Sequence, residues 1–409
     1  CLSHRPLPSL PTKLNNPAMT TTTLKPVWDT ETQEEHGGQT WHLLGSSFLE
    51  DFSVTTNAFG APAPALAAAA AALAHIHHYP PADNAKPTAA LTQFMGLESS
   101  DMLLVGNGAS EFIDLVMRAP ASPKGGFRAG PYAAAYMEYE RAAKAAGREV
   151  LSPLDERFAV DGPKTEEERA RAGEAGVTVV IHPNSPTGDV MGLDALEALA
   201  AAIHAAGKML VVDESFMPFL GPDWRAASAL AILDKFPGSL VVINSWTKLW
   251  SCPGLRIGSM VADPALIKEM KKQQTPWSVN TAAQDFTVAA CADVAYLEKT
   301  WSTLPDWKTR QEDLMRALAF TPNPRSPAWV PWVFVECHSP EAAAAANAAA
   351  LAAGCPVRYC KSFGLPSCIR LGVRDPKFQD VLQDALLKDP VIAKGVAARG
   401  AAANGDAKH

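Results

Sequence analysis

The chain has 409 residues, 47% apolar and 19% charged, with a net charge of −7. That composition supports a large buried core and excludes global disorder, and the length suits two domains. The negative balance argues against a nucleic-acid binder, and the longest apolar run, Ala65 to Ala74, falls short of the ~20 residues of a membrane span. Seven cysteines without a Cys-x-x-Cys pair argue against a disulfide framework or structural zinc, so a reducing, cytoplasmic compartment is expected.

In chain order, residues 1–35 show no hydrophobic period and read as a tail. Residues 1–18 carry Arg5 and Lys13 but no acidic residue; they read either as the end of an organellar targeting peptide or as sequence upstream of a start at Met19. Residues 36–75 read as an N-terminal arm. His75-x-His77-His78 lies beside Tyr79-Pro80 without a carboxylate partner, which suits a helix end rather than a metal site. The apolar run Met102–Val105 enters the turn Gly106-Asn-Gly-Ala-Ser110, and Phe112, Leu115 and Val116 then recur at helical spacing.

The charged stretch Lys164–Glu174 predicts a solvated helix. Val177–His182, Lys208–Asp213 and Leu240–Asn244 are continuous apolar runs, as parallel strands buried on both faces require. Helical patterns lie between them at Leu193–Ala206 and Trp224–Phe236, so the expected fold is α/β, a doubly wound and mostly parallel sheet, over residues 76–280. Beyond it, Thr281–Trp301 and Lys308–Leu318 predict helices. A strand at Trp332–Glu336, a helix at Pro340–Ala353 and strand-like pieces ending in Cys368–Arg374 complete a smaller α+β domain over 281–393. The stretch from Lys394 reads as a disordered tail. There is no internal repeat.

Ligands of an open parallel sheet sit at the carboxyl ends of its strands. Those ends carry Gly106-Asn-Gly, His182-Pro-Asn-Ser-Pro-Thr-Gly188, Asp213-Glu-Ser-Phe216, Ser245-Trp-Thr-Lys248 and Pro253-Gly-Leu-Arg256-Ile-Gly258. This ordered set resembles the class I/II pyridoxal 5′-phosphate (PLP) aminotransferases. It is most similar to the branch holding histidinol-phosphate aminotransferase and the threonine-phosphate decarboxylase of cobalamin synthesis. His36-Gly-Gly38, Asp51-Phe-Ser53 with Asn57 and Gly60, Tyr79-Pro80, Asp213-Glu-Ser-Phe216 and Gln273–Asn280 place it nearer the decarboxylase. The resemblance runs from His36 to Val391. A dinucleotide-binding site would need a third glycine, which Gly106-Asn-Gly-Ala-Ser-Glu lacks; a non-catalytic PLP-binding regulator would carry a fused DNA-binding segment or have lost the lysine.

The resemblance implies a fold-type-I PLP enzyme, a homodimer with a small amino-acid-derived substrate, and a set of site residues. Lys248 is the amine for the cofactor's aldehyde, and Asp213 the carboxylate that keeps the pyridine nitrogen charged. Gly108, Ala109 and Ser110 at a helix start, with Ser245, Thr247 and Arg256, suit the phosphate. Tyr136, with Tyr132 as the alternative, stacks on the ring; Asn184, Ser185 and Phe216 line it; Tyr79 reaches the neighbouring subunit's cofactor. Arg370 takes a substrate carboxylate, Arg358 a substrate phosphate, and Asn57 and His36 lie near the substrate. Three positions depart from the pattern: Ser185 replaces the asparagine before Pro-Thr-Gly, Thr55 an asparagine, and Ser259 a tyrosine.

Overall fold

The computed structural model describes residues 36–406, with side chains described to residue 398. The expectations for residues 1–35 lie outside the described residues, as do residues 407–409. Seven strands form the larger sheet: β1 Leu103–Gly106, β2 Phe127–Ala129, β3 Val150–Leu151, β4 Val177–Ile181, β5 Met209–Asp213, β6 Leu240–Ser245 and β7 Gly258–Val261. Their order is β1-β7-β6-β5-β4-β2-β3, and β7 alone runs antiparallel to its neighbours.

Every residue of β4 and β5 is buried, which explains the unbroken apolar runs: both faces of the sheet are covered. Alternation along β5 divides the core. Met209 and Val211 face a cluster that includes the helices Ala109–Arg118 and Glu138–Ala145, whereas Leu210 and Val212 face one that includes Leu193–Ala205. A second, antiparallel sheet has the order β10-β11-β9-β8, from β8 Thr321–Pro322, β9 Trp332–Glu336, β10 Arg358–Tyr359 and β11 Cys368–Gly372. The helices Pro340–Ala352 and Pro376–Lys388 cover it, and Phe52 from the N-terminal segment is buried in the same cluster.

The differences from expectation have local causes. Trp224–Phe236 forms two 3₁₀ segments, Trp224–Ala227 and Ala229–Lys235, broken where the Ser228 side chain accepts from Leu230 N. Lys164–Glu174 contains a shorter helix, Glu166–Ala172, started by a Thr165/Glu168 capping box. The predicted helix Thr281–Trp301 stops at Ala292, because the Asp293 side chain caps a new helix, Val294–Ala317. Helix Thr281–Ala292 packs on Ala63–Ala72 and Ala85–Met95, so the segment after residue 280 and the N-terminal segment meet in one packed layer. The stretch from Lys394 continues the helix Pro390–Asp406 instead of fraying. Among the described residues, no helix is long and apolar enough to cross a membrane.

One buried charge fixes the segment before β9. Lys308 is fully buried, and its ammonium donates to Ser326 Oγ (2.7 Å), Pro327 O (2.6 Å) and Ser326 O (3.2 Å). Those contacts hold the segment before β9 against the Thr187–Asp189 turn, where Asn323 Nδ2 donates to Thr187 O at 2.8 Å. Removing the ammonium leaves several acceptors without a donor. Lys308→Met is therefore expected to lower unfolding free energy by about 2 kcal/mol or more, measured by denaturant titration; a change below about 0.5 kcal/mol would show that the clamp carries no stability.

Candidate active site

The carboxyl ends of β4, β5 and β6 open onto one cleft. Asp213, the last residue of β5, is buried. Its Oδ1 accepts from Ser215 Oγ (2.5 Å) and Ser215 N (3.1 Å), and its Oδ2 from the Tyr139 hydroxyl (2.9 Å). Burial pushes its carboxyl above the ordinary range, and these donors together with Lys248 oppose that shift.

Lys248 sits on a single helical turn, Trp246–Leu249, directly after β6. Trp246 and Trp250 stack at 5.2 Å beneath the turn, and Trp246 Nε1 donates to Ser259 Oγ at 2.9 Å. Ser259, one of the departures, thus anchors the turn. Burial lowers the Lys248 amine from 10.5 to about 8, with Arg370 and Arg256 adding to the shift and Asp213 opposing it.

A polar pocket of hydroxyls and amides lies at the other end of the cleft. Ser245 on β6 is opposite Gly258 on β7, which is also opposite Gly106 on β1. Ser245 and Thr247 hydroxyls lie 2.8 Å apart, and Arg256 Nη2 donates to Ser110 Oγ at 2.7 Å. Two glycines permit this closeness. Gly108 has φ +75°, and a Cβ there would lie 2.6 Å from Arg256 Nη2; a Cβ on Gly258 would lie 2.5 Å from Ala109 N.

Tyr136 lies among Glu138, Asp213 and Arg256, and burial first, then the two carboxylates, push its hydroxyl well up. Tyr132 instead belongs to the core cluster on the other side of the sheet, beside Asp189 and Arg325. The structure therefore distinguishes the two candidates by position. Phe216 is buried edge-on to Trp332, with ring centroids 4.6 Å apart. Asn184 donates through Nδ2 to Ala134 O (2.9 Å) and Thr187 Oγ1 (2.8 Å); its buried Oδ1 has no partner among the described residues.

The small domain contributes two arginines. Arg358 and Arg370 are opposite each other across β10 and β11, and both are buried. Arg370 donates to Ser185 Oγ (2.8 Å) and Ser53 O (3.0 Å), while Arg358 donates to Ser362 Oγ (2.5 Å) and lies over the Phe363 ring. Burial, more than the Arg358 charge, lowers Arg370 to about 10, so it stays cationic at neutral pH.

One expectation on the substrate side changes. Asn57 Nδ2 donates to Leu249 O and Thr300 Oγ1 while its Oδ1 accepts from Phe59 N, so its side chain is committed to fixing the Lys248 turn. His36 has its Nε2 3.1 Å from Glu138 Oε1, and its ring meets the Tyr136 ring edge-on. Tyr79 is 81% exposed, and its ring lies 5.0 Å from that of Trp277 at a tilt of 37°. Tyr139 and Ser215 were missed by sequence reasoning. The available signal for Tyr139 was its place at the start of the helix Glu138–Ala145, three residues after Tyr136.

Residues 50–386 match the family model for aminotransferase class I and II, so the chain belongs to that family. It is accordingly a PLP-dependent enzyme. A histidinol-phosphate aminotransferase of Rhodospirillum centenum is 27% identical over 76% of this chain and 83% of its own. A putative threonine-phosphate decarboxylase of Caldanaerobacter subterraneus is 30% identical over 65% of this chain and 70% of its own. The fold matches the histidinol-phosphate aminotransferase of Sinorhizobium meliloti in complex with pyridoxal-5′-phosphate, with TM-score 0.75 at 19% identity, covering 93% of this chain and 100% of that one.

The Lys248 environment yields a test that needs no ligand. In cofactor-free protein, labelling of Lys248 by trinitrobenzenesulfonate should rise with a midpoint near pH 8, while ordinary lysines titrate near 10.5. Peptide mapping across pH reads this directly; a midpoint at the ordinary value would contradict the cation-crowded, desolvated setting.

Proposed function

We propose that the enzyme acts on a small, phosphorylated, amino-acid-derived substrate, in the manner of a threonine-phosphate decarboxylase. The observation that carries this reading is the opposed pair Arg358 and Arg370, two buried arginines on neighbouring strands of the small sheet, with Arg370 reaching Ser185 after β4. Such a pair complements a ligand with two anionic groups, a carboxylate and a phosphate.

The cleft fits PLP. The Ala109 and Ser110 amides at a helix start would suit a phosphate, with Ser110, Ser245 and Thr247 hydroxyls and Arg256 as further donors that Gly108 and Gly258 allow to come close. Asp213 would hold the ring nitrogen, Tyr136 would cover the ring, and Lys248 would bond the aldehyde. Asn184, Ser185 and Phe216 would line the ring's edge. Asn184 Nδ2 is spent on Ala134 O and Thr187 Oγ1, whereas the Ser185 hydroxyl accepts from Arg370 and has one hydrogen to give, so Ser185 would be the donor toward the phenolic oxygen. When bound, PLP supplies an electron sink for bonds at the substrate's α-carbon.

The remaining chemistry belongs to the chain. Arg370 grips the α-carboxylate and Arg358 the phosphate. Lys248, readily neutral near pH 8, holds or moves a proton at the α-carbon. His36 and Tyr136 close the outer side and exclude water. The angle at which the arginines hold the carboxylate decides whether that group or the α-proton is lost. Transamination of a histidinol-phosphate-type substrate is the second reading, favoured by relatives of that name.

An assay scoring CO₂ and oxo-product together separates the two reactions. Threonine phosphate or histidinol phosphate should exceed its dephospho form in kcat/KM by about 10²-fold, and Arg358→Ala should erase that gap. Arg370→Ala should weaken α-amino acid substrates alike, phosphorylated or not. Equal specificity constants within each pair would remove the phosphate reading.

The active form is proposed to be a homodimer. Leu66, Leu73, Ile76, Tyr79 and Trp277 are exposed apolar or aromatic side chains, and Tyr79 would reach the neighbour's cofactor phosphate. Sedimentation should give the mass of two chains, and Trp277→Glu should shift it toward one; a wild-type monomer at micromolar concentration would sink this assembly.

A further inference from the structure

The Asp213 carboxylate is surrounded more completely than a simple counter-ion requires. Ser215 occupies one oxygen through both its amide and its hydroxyl, and Tyr139 donates to the other. The Ser215 hydroxyl also accepts from Ser245 N at 2.9 Å, linking the end of β5 to the end of β6. Tyr139 is 1% exposed on the helix Glu138–Ala145, so its hydroxyl has been taken from water into the protein for this bond.

We propose that Tyr139 and Ser215 are positioning residues that keep Asp213 ionised and aimed at the cofactor's ring nitrogen. This rests on the reading of Asp213 as the partner of that nitrogen. A buried carboxylate without donors takes up a proton, and a neutral acid no longer holds a pyridine nitrogen in its charged form. The titratable or charged groups facing Asp213 are Lys248, Tyr136 and Tyr139. The Lys248 amine is itself easily neutral and is to be tied up by the aldehyde, so it is a poor permanent counter-ion. Hydroxyl and amide donors do not titrate in the working range, so they can hold the carboxylate charged whatever the lysine's state. The geometry divides the work: Ser215 fixes the orientation through two bonds on Oδ1, and Tyr139 fixes Oδ2 while leaving that oxygen a second lone pair.

The test uses the holoenzyme loaded with PLP labelled with ¹⁵N in the ring. Tyr139→Phe keeps the ring that fills the core and removes only the hydroxyl. Its ¹⁵N resonance is expected to move from the protonated toward the unprotonated range at neutral pH, and the cofactor's dissociation constant should rise about tenfold. Ser215→Ala removes a donor from the opposite oxygen and should move the resonance the same way, so it reads the same quantity if Tyr139→Phe folds poorly. A role confined to packing would change the melting temperature of the cofactor-free protein and leave the ¹⁵N shift in place. A wild-type shift in the folded variants overturns the proposal. A wild-type shift in Asp213→Asn overturns the reading of Asp213 itself, which keeps the two failures apart.

Discussion

The constraint on which this structure depends is the crowding of cations around one lysine. Lys248, Arg256 and Arg370 converge on a cleft whose fixed negative charge is Asp213. Like charges in a low-dielectric site repel strongly unless anions or proton loss relieve them. The chain uses both means. The lysine amine sheds its proton easily, and the arginines, which cannot do so in the working range, face the places where phosphate and carboxylate groups would sit. Much of the scaffold answers to this arrangement. The antiparallel β7 brings Gly258 between Ser245 and Gly106, the tryptophan stack supports the lysine turn, and Asn57 ties that turn to the helix Val294–Ala317.

The N-terminal segment is held to the small sheet through its backbone carbonyls. Arg374 donates to Asp51 O, Val54 O and Thr56 O, and Arg370 to Ser53 O. A guanidinium has five donors in a fixed plane, so each arginine locks several residues of the N-terminal segment at once. The small-domain arginine in the cleft is therefore positioned by the chain's beginning. The coupling explains why Phe52 is buried in the small-domain core although it lies 280 residues before Trp332, the start of β9.

Much of this was legible in the sequence. The strands β4, β5 and β6 announced themselves as unbroken apolar runs, and the polar residues at their ends had no other reason to cluster there. What stayed hidden has physical causes. β7 and β2 are short and carry no strong pattern, since their burial comes from neighbours in the sheet rather than from length. Tyr139 looks like any tyrosine on an amphipathic helix; its hydroxyl acquires a partner only when β5 packs beside it. Asn57 illustrates the reverse error, where a polar residue in a motif-rich segment serves backbone acceptors instead of a ligand. The packing of helix Thr281–Ala292 on Ala63–Ala72 was equally hidden, because a 12-residue helix gives no sign of which element it will meet.

The opposition of Arg358 and Arg370 also concentrates charge in the small sheet. Directly opposed residues in antiparallel strands have Cα atoms about 4.5 to 5.5 Å apart, a spacing fixed by the backbone ladder. The ladder therefore holds two buried cations on neighbouring strands, and each spends donors on nearby oxygens: Arg370 on Ser185 Oγ and Ser53 O, Arg358 on Ser362 Oγ. An anion drawn to either arginine would ease this charge, so occupancy by an anion and the stability of the small sheet should rise and fall together.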